Sequence, residues 1–399
     1  EVRSLPTCID WAQEAAESLK QHGLTTQIVI SDNGSTDGSR ELARDRGCVV
    51  VDCPERGYGN ALIHGVRHSE GRFILMGDAD GSYDFREGVP MIRKLQEGYD
   101  LCMGTRLKGR IEPGAMPWKN RYIGNPFLSR ILNLFFRSGL SDAHCGLRAF
   151  TREAFDRMHL SSTGMEFASE IVVKAAMLDL KRTEIPITLH PDLRDRPPHL
   201  NPWQDGWRHL KFLLVYSPLW SFFIPAALMI VVGGFILGGL LAAPPGEMFR
   251  VGPIWFGDHW LFLALGAIAM GYQAGILGFA ALALHSDDPA FRGSRHTRSA
   301  HKLISVEHMC LLGGTLLAAG IAVFAYVVAV WSAKHFGPLN QMRHMALSIL
   351  LIMLGGQTFF SGFLFAIIGD RDQREAQWTR TAAGDAGESD SRSGAATDR

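Results

Sequence analysis

An excess of charge of either sign is absent from this sequence. Its 40 lysines and arginines balance 40 aspartates and glutamates, so the formal net charge at pH 7 is zero. Proteins that bind nucleic acid usually carry a strongly basic domain. The neutral balance therefore argues against nucleic acid as a partner.

Cysteine pairs at metal-binding spacing are absent as well. None of the six cysteines belongs to a C-x-x-C pair, so the sequence gives no reason to propose a zinc site. Five of them precede the apolar half of the chain, where we expect free buried thiols in a reducing compartment. These five are Cys8, Cys48, Cys53, Cys102 and Cys145.

Charged residues are nearly absent from four long stretches that follow Lys211. Each exceeds the roughly 20 apolar residues needed to cross a bilayer. Buried helices of water-soluble proteins are rarely this long or this free of charge. The sequence therefore predicts an all-α transmembrane domain over residues 213–369, with four helices within Leu213–Gly246, Trp260–Leu284, Met309–Ala333 and Met345–Gly369.

Basic residues are distributed unevenly around these stretches. The loop between the first and second stretches has only Arg250, whereas the next loop and the segment after the fourth stretch carry Arg292, Arg295, Arg298, Lys302, Arg371 and Arg374. The positive-inside rule predicts that the first domain and the C-terminus are cytoplasmic, on the inner membrane if the cell is bacterial. Residues 370–399 lack periodicity and are predicted to form a disordered cytoplasmic tail.

The first half of the chain alternates short apolar runs with amphipathic segments. Strands are predicted at Val49–Asp52, Phe73–Met76 and Leu101–Gly104, with helices of about ten residues between them. This alternation predicts an α/β domain over residues 1–212 with a mostly parallel sheet. The domain opens with a helix near Pro6–Lys20, so we expect that a first strand is missing before Glu1.

Two carboxylates, Asp78 and Asp80, follow the predicted strand Phe73–Met76. Ligands bind at the carboxyl ends of strands in open α/β sheets. Carboxylates one residue apart suit a hard cation such as Mg²⁺ that also binds substrate phosphate. The alternative is an Asp/Gly turn that caps the next helix.

An ordered series of motifs extends this pattern. The motifs are Asp32-Asn-Gly-Ser-Thr-Asp37, Gly57-x-Gly59-x-Ala61, Asp78-Ala-Asp80, Gly104-Thr-Arg106, Asp142-Ala-His-Cys-Gly146-Leu-Arg148 and Gly164-Met-Glu166-Phe-Ala-Ser-Glu170. A Rossmann fingerprint is not favoured, because Leu62 stands where its third glycine would be. The series resembles family-2 glycosyltransferases of the GT-A fold, and its last two motifs are similar to those of the dolichol-phosphate mannose synthase branch.

The resemblance implies roles for several residues. Asp32 would contact the nucleotide base, Asp78 the ribose or the metal, and Asp80 a metal, Mg²⁺ or Mn²⁺, that bridges the sugar-nucleotide diphosphate. Gly57 would belong to the nucleotide site. Ser82 stands where this branch often carries a glutamine metal ligand. For Asp32, an Asx turn or a helix N-cap is the alternative. Glu1 would be the last residue of the family's P-x-x-N-E motif.

Four arginines are candidates for phosphate binding: Arg106, Arg148, Arg194 and Arg196. A guanidinium fork matches phosphate oxygens bidentately, although any one of these arginines could be a solvated surface charge. Arg194 and Arg196 occupy the place of the family's R-x-x-G-x-S-K-L segment, with His199 where lysine is usual. Asp80, Arg106 and Arg148 are the predicted catalytic residues.

Three further acids are open to two interpretations. Asp142 and Glu170 are candidates for a general base, which would need to lie within hydrogen-bonding reach of the nucleophile. Glu166 and Glu170 lie four residues apart on a predicted helix, where an acidic face is often merely solvated.

A segment rich in aromatic and basic residues, from Trp203 to Tyr216, precedes the first apolar stretch. Its composition is typical of a helix that lies at a bilayer surface. This composition predicts the membrane as a partner, and the resemblance implies a nucleotide sugar and a lipid as further partners.

The resemblance implies transfer of a sugar to polyprenyl phosphate at the cytoplasmic membrane face. Mannose from GDP-mannose is the first expectation, and glucose from UDP-glucose is the second. Two alternatives are transfer to a lipid hydroxyl, as in glycolipid synthases, and a lipid-sugar translocator whose first domain only binds.

Overall fold

The computed structural model of the chain describes residues 2–193, 202–244, 246–285, 288–292 and 305–394. Contacts divide the protein into two compact units, Glu1–Ser217 and Pro218–Arg399. The division falls a few residues after the boundary that the sequence predicts at residue 212.

The first unit alternates helices and strands as the sequence predicts. Its elements in order are α1 (Leu5–Gln21), β1 (Val29–Asp32), α2 (Ser39–Asp45), β2 (Val49–Asp52), α3 (Tyr58–Arg67), β3 (Phe73–Met76), α4 (Val89–Gln96), β4 (Leu101–Ile111), α5 (Asn125–Phe136), β5 (Arg148–Thr151), α6 (Arg152–Met158), α7 (Phe167–Met177), β6 (Arg182–Leu189) and α8 (Pro202–Tyr216).

The strands form two sheets. β1 and β2 pair in parallel, and the larger sheet has the order β3-β5-β4-β6. β4 and β6 are parallel, whereas β5 is antiparallel to both β3 and β4. Three of the four strands in the larger sheet therefore point the same way, which confirms the mostly parallel arrangement, and β5 is a reversed strand between them.

Both faces of the larger sheet are buried. Leu101, Met103 and Phe150 face one apolar core, whereas Cys102 and Ala149 face the other. Neighbouring residues of a strand point to opposite faces, and a sheet of mainly parallel strands is normally covered on both sides. This burial fixes the register of β3, β4 and β5, and therefore the position of the residues at their ends.

The five cysteines of the first unit are free and buried, which confirms the prediction. Cys102 and Cys145 are part of the core beside α4. Burial raises the pKa of each of these two thiols to about 12. They therefore act as small apolar side chains.

The second unit is mainly helical. Its elements are α9 (Ile224–Ala242), β7 (Phe249–Val251), β8 (Ile254–Phe256), α10 (Trp260–Leu284), α11 (Pro289–Arg292), α12 (Val306–Ala333) and α13 (Met342–Gly394). The described residues include four helical stretches long and apolar enough to cross a membrane, which agree with the sequence: Leu219–Ala242, Trp260–Leu284, Val306–Ala333 and Met342–Ile368.

The C-terminal tail differs from the disorder predicted for residues 370–399. The backbone of α13 stays helical to Gly394, and residues 395–399 lie outside the described part. The tail has no proline after residue 369 and contains several alanines, glutamates and arginines. Such residues favour helix, and an existing helix extends without a new nucleation step.

Candidate active site

The acidic pair Asp78 and Asp80 lies directly after β3, where the sequence predicts it. Hydrogen bonds to neighbouring residues help to fix the turn that holds the pair. Ser82 N donates to Asp80 Oδ1 at 2.9 Å, and Ser4 Oγ donates to the carbonyl of Ala79 at 2.8 Å. Ser4 precedes α1, so this helix holds the backbone between the two carboxylates.

The segment 142–148 packs directly against Asp78. A Cβ atom at Gly146 would lie 2.5 Å from Asp78 Oδ2 and 2.6 Å from the ring of Tyr83, so only glycine fits at this position. Gly146 N also donates to the Tyr83 hydroxyl at 3.0 Å. The close approach places the segment beside the acidic pair.

Tyr58, at the start of α3, is a further neighbour of Asp78. Burial raises the pKa of its hydroxyl well above the ordinary value, the charge and hydrogen bond of Asp78 raise it further, and Arg148 opposes them. Tyr58 therefore remains protonated. Asp78 and Arg148 both lie close enough to Tyr58 to act on its hydroxyl, so the three side chains form one cluster.

Arg106 is bound by Asp142 inside the protein. Its Nε lies 2.7 Å from Asp142 Oδ2 and its Nη2 lies 2.8 Å from Oδ1, and both side chains are buried. Burial alone would raise the pKa of the Asp142 carboxyl, but the charge and hydrogen bonds of Arg106 hold it below its ordinary value. The pairing argues against Asp142 as a general base, and phosphate binding by Arg106 stays a prediction.

Arg148 differs from Arg106 because its hydrogen bonds to described residues go to backbone carbonyls rather than to a carboxylate. Its side chain is 1% exposed. Nε donates to the carbonyl of Cys145 at 2.7 Å, and Nη1 donates to the carbonyl of Ala168 at 3.0 Å. Nη2 is buried without a hydrogen-bond partner among the residues that the structure describes. A buried donor without a partner is costly, so this nitrogen is a candidate ligand contact.

Asp32 ends β1, and its carboxylate is occupied by the protein. It accepts from the backbone of Gly34 and Ser35, each at 3.0 Å, and from Arg40 Nε at 2.6 Å. Burial would raise its pKa, but these bonds outweigh burial and lower the pKa. The geometry is that of the Asx turn considered as the alternative, and contact with a nucleotide base stays a prediction.

Gly57 is required by the backbone. Its φ is +144°, and a Cβ atom there would collide with the carbonyl of Thr163. That carbonyl also accepts from Gly59 N at 2.9 Å and from Asn60 N at 3.3 Å. Two amides at the start of α3 therefore already have a partner, and nucleotide binding by Gly57 stays a prediction.

Glu170 is bound by neighbouring residues of the protein. It is fully buried, pairs with Lys174 at 2.9 Å, and accepts from the backbone of Ser161 and Ser162. Glu166 accepts from Gly164 N at 3.2 Å. Glu170 thus holds the segment that packs on α3, which argues against both a general base and a solvated face at this position.

Three predicted residues, Arg194, Arg196 and His199, lie outside the described residues. The structure therefore gives no position for the segment that they form.

Asp78 and Asp80 fit a particular type of metal site. In the described part of the chain, no group of three or more His, Cys, Asp or Glu side chains could hold a metal ion by protein ligands alone. Mg²⁺ sites that also bind substrate phosphates commonly use only one or two carboxylates. A carboxylate pair at a strand end, beside a buried guanidinium, has the chemistry of such a site.

The fold and the site define a membrane protein with an α/β enzyme domain, and comparisons with known proteins name its family. Residues 8–158 match the model of glycosyl transferase family 2. Residues 280–369 match the model of the glycosyltransferase family 2 C-terminal transmembrane region.

Two relatives from Haloferax volcanii extend this result. The low-salt glycan biosynthesis hexosyltransferase Agl6 is 35% identical over 367 residues, which cover 91% of this chain and 85% of the relative. A dolichyl-phosphate hexose transferase is 28% identical over 160 residues, 40% of this chain and 68% of the relative. The chain belongs to glycosyltransferase family 2 and is a membrane protein.

A solved structure also resembles the chain. Glucosyl-3-phosphoglycerate synthase from Mycobacterium tuberculosis, in complex with Mn²⁺, uridine diphosphate and glucosyl-3-phosphoglycerate, is 17% identical. The match covers 54% of this chain and 77% of that one, with a TM-score of 0.40. Family membership, the mostly parallel sheet and the four long apolar helices confirm the predicted fold class, a GT-A domain followed by a transmembrane domain.

Several residues of the site were not predicted from the sequence. Tyr58 and Tyr83 lie near Asp78 only because α3 and the turn after β3 meet there. Gly146 lies within the motif Asp142–Arg148, but its close approach to Asp78 and Tyr83 is visible only in the fold. The signal that was present in the sequence is the unbroken motif from Asp142 to Arg148.

Proposed function

We propose that this enzyme transfers a hexose from a nucleotide diphosphate sugar to polyprenyl phosphate at the cytoplasmic face of a membrane. The observation that carries the proposal is Arg148, a buried guanidinium with an unpaired nitrogen beside Asp78. A buried donor nitrogen without a hydrogen-bond partner is unfavourable in a folded protein. The phosphates of the donor and acceptor would supply the acceptor oxygen.

The acceptor is inferred from the membrane unit and from a relative. Four helices of spanning length follow the enzyme domain, so a lipid acceptor would share the membrane with the enzyme. The relative named dolichyl-phosphate hexose transferase supports a polyprenyl phosphate. Mannose from GDP-mannose remains the first proposal for the donor, and glucose from UDP-glucose the second.

A phosphate acceptor needs less from the protein than a hydroxyl acceptor. A phosphate monoester is an anion at neutral pH, since its second pKa is near 6. A lipid hydroxyl must lose a proton as it attacks and needs a positioned base. Asp142 and Glu170 are both engaged in buried ion pairs, which favours the acceptor that needs no base.

Asp78 and Asp80 would hold Mg²⁺ or Mn²⁺ together with the donor diphosphate. Such an ion supplies charge neutralisation for the departing nucleoside diphosphate. Arg148 would bind a phosphate oxygen through Nη2, and its fixed contacts with Cys145 and Ala168 would hold that nitrogen in place before the substrates arrive.

The transfer itself is tested with membranes that contain the full chain, labelled nucleotide sugars and polyprenyl phosphate. We expect labelled lipid that releases its sugar in mild acid. Asp80→Asn keeps the side-chain shape but removes a charge, and should lower the rate at least about a hundredfold. A chelator should have the same effect on the parent. Full activity in excess chelator would contradict the metal role, and an acid-resistant product would favour a hydroxyl acceptor.

A further inference from the structure

A polar contact inside the first unit joins α8 to the segment 142–148. His209 of α8 is buried, and its Nδ1 lies 2.8 Å from Ser169 Oγ on α7. The same hydroxyl lies 3.2 Å from His144 Nε2. The two imidazole rings meet edge to face, with centroids 4.7 Å apart.

Apolar packing also holds α8 on the first unit. Leu213 of the same helix is fully buried in the apolar core, with Phe212 and Tyr216 packed against it. Buried polar groups cost free energy unless they are hydrogen-bonded. Directional hydrogen bonds, in contrast to apolar packing, favour one alignment of the segments that they join.

The residues of this contact are adjacent in sequence to the residues whose carbonyls bind Arg148. His144 lies in the same segment as Cys145, whose carbonyl accepts from Arg148 Nε. Ser169 follows Ala168, whose carbonyl accepts from Arg148 Nη1. Both supports of the guanidinium are therefore next in sequence to members of the polar contact.

The hydroxyl of Ser169 can bond to both rings when both histidines are neutral, whereas His144 Nδ1 is buried without a hydrogen-bond partner among the described residues. Ser169 has one proton, so it can donate to one ring and accept from the other. Burial lowers the pKa of His144 well below its ordinary value, and the charges of His209, Arg148 and Arg106 act in the same direction, against Asp142.

We propose that His209 is a positioning residue for the glycosyl transfer, and that it acts through Ser169 and His144 to fix the segment 142–148 and the guanidinium of Arg148. The proposal rests on the proposed function. Full activity then requires that α8 is correctly packed on the first unit. In the sequence, α8 is the helix before the first membrane-spanning helix.

The test compares two substitutions in the full-length protein. His209→Leu removes the polar partner of Ser169, whereas His209→Asn keeps a polar atom near the position of Nδ1. We expect His209→Leu to lower kcat at least about tenfold with a less than about twofold change in the donor KM, because Asp78 and Asp80 are untouched. His209→Asn should recover most of the loss. His22→Leu, which replaces an exposed histidine of the same unit, should match the parent.

Hydrogen exchange of the backbone amides at residues 142–148 provides a second readout that needs no activity. Exchange should be faster in His209→Leu and Ser169→Ala than in the parent, and should be restored in His209→Asn. Unchanged exchange in His209→Leu, or a His209→Asn variant as slow in turnover as His209→Leu, would overturn the proposal. A parent that transfers no sugar would instead overturn the proposed function, while the exchange result still decides whether the contact fixes the segment.

Discussion

At the scale of residues, the site contains two buried ion pairs and one guanidinium, that of Arg148, whose Nη2 has no hydrogen-bond partner in the described part of the chain. Asp142 pairs with Arg106, and Glu170 pairs with Lys174. Loss of activity after changing a member of either pair would not identify a catalytic role, because its partner would remain buried without a counter-charge. Arg148 is the informative position.

Arg148→Lys should lower kcat/KM at least about a hundredfold, a loss of about 2.7 kcal/mol of transition-state stabilisation. Lysine keeps the positive charge but cannot contact two carbonyls and a phosphate with a rigid fork. Steady-state kinetics with the labelled donor measures the change. Arg44→Lys, on the exposed face of α2, is the control, and equal activities of the two variants would contradict a phosphate contact by Arg148.

Asp142→Asn should lower the stability of the protein. The substitution leaves Arg106 buried without its anion, at a cost of about 3 kcal/mol or more. Thermal unfolding of the purified protein measures this, with the exposed Glu41→Gln as the control. A variant as stable as the parent but inactive would return Asp142 to the candidates for a general base.

His144 makes the stability depend on pH. Its pKa in the fold lies well below the ordinary 6.5 because of burial first. Above pH 6.5 the imidazole is neutral in the folded and unfolded chains. Below it the unfolded chain binds a proton that the folded chain does not, so the free energy of unfolding falls by about 1.4 kcal/mol per pH unit until the folded pKa is reached.

Unfolding of the parent and of His144→Gln, at about pH 7 and about pH 5.5, isolates this contribution. The parent should lose more stability on acidification than the variant, which has no imidazole at this position. Equal losses would show that His144 titrates normally in the fold.

At the scale of elements, the sequence predicted what local pattern determines. β2 and β3 have the predicted limits, Val49–Asp52 and Phe73–Met76. β5 was not predicted, because a four-residue strand that includes Arg148 has no apolar alternation of its own. It forms by pairing with β3 and β4, which are distant in sequence. The pairing also places Arg148 opposite Met76, two residues before Asp78, which no local pattern shows.

Packing of α12 on α13 depends on particular glycines. A Cβ atom at Gly355 would lie 2.6 Å from Leu317 N and 2.8 Å from the carbonyl of Gly313, whereas one at Gly356 would meet nothing within 4 Å. Gly355→Ala should therefore destabilise the protein by about 1–3 kcal/mol. Gly356→Ala should be neutral or stabilising by up to about 1 kcal/mol, since alanine favours helix.

Thermal unfolding of the two alanine variants in detergent compares adjacent positions with the same chemical change. A lower midpoint for Gly355→Ala alone is the expected result. Equal midpoints would show that the close approach of α12 to Gly355 does not contribute to stability.

At the scale of the whole molecule, composition predicted the division into an enzyme domain and a membrane domain. Lack of charge over four stretches was sufficient for that, since a bilayer imposes the same requirement on every spanning helix. The helical tail to Gly394 was not predicted, because the sequence has no apolar face there. The tail is helical as a continuation of the apolar first part of α13.

The orientation of the membrane unit is tested with cysteines introduced one at a time into a background without Cys310, in which the five remaining cysteines are buried. Val251→Cys lies at the end of β7, between α9 and α10, Lys334→Cys lies between α12 and α13, and Glu307→Cys lies at the start of α12. If the enzyme domain is cytoplasmic, a membrane-impermeant thiol reagent added to intact cells should label the first two and not the third. The reverse pattern would place the enzyme domain on the opposite face.

The most direct test of the proposed function is the chemical linkage of the product. Lipid formed from labelled nucleotide sugar by the full-length protein is extracted and examined by phosphorus NMR, with Asp80→Asn as the inactive control. The account predicts a phosphodiester that joins the sugar to the polyprenyl chain, formed by the parent alone. A labelled lipid with no phosphorus between sugar and chain, or equal product from Asp80→Asn, would contradict it.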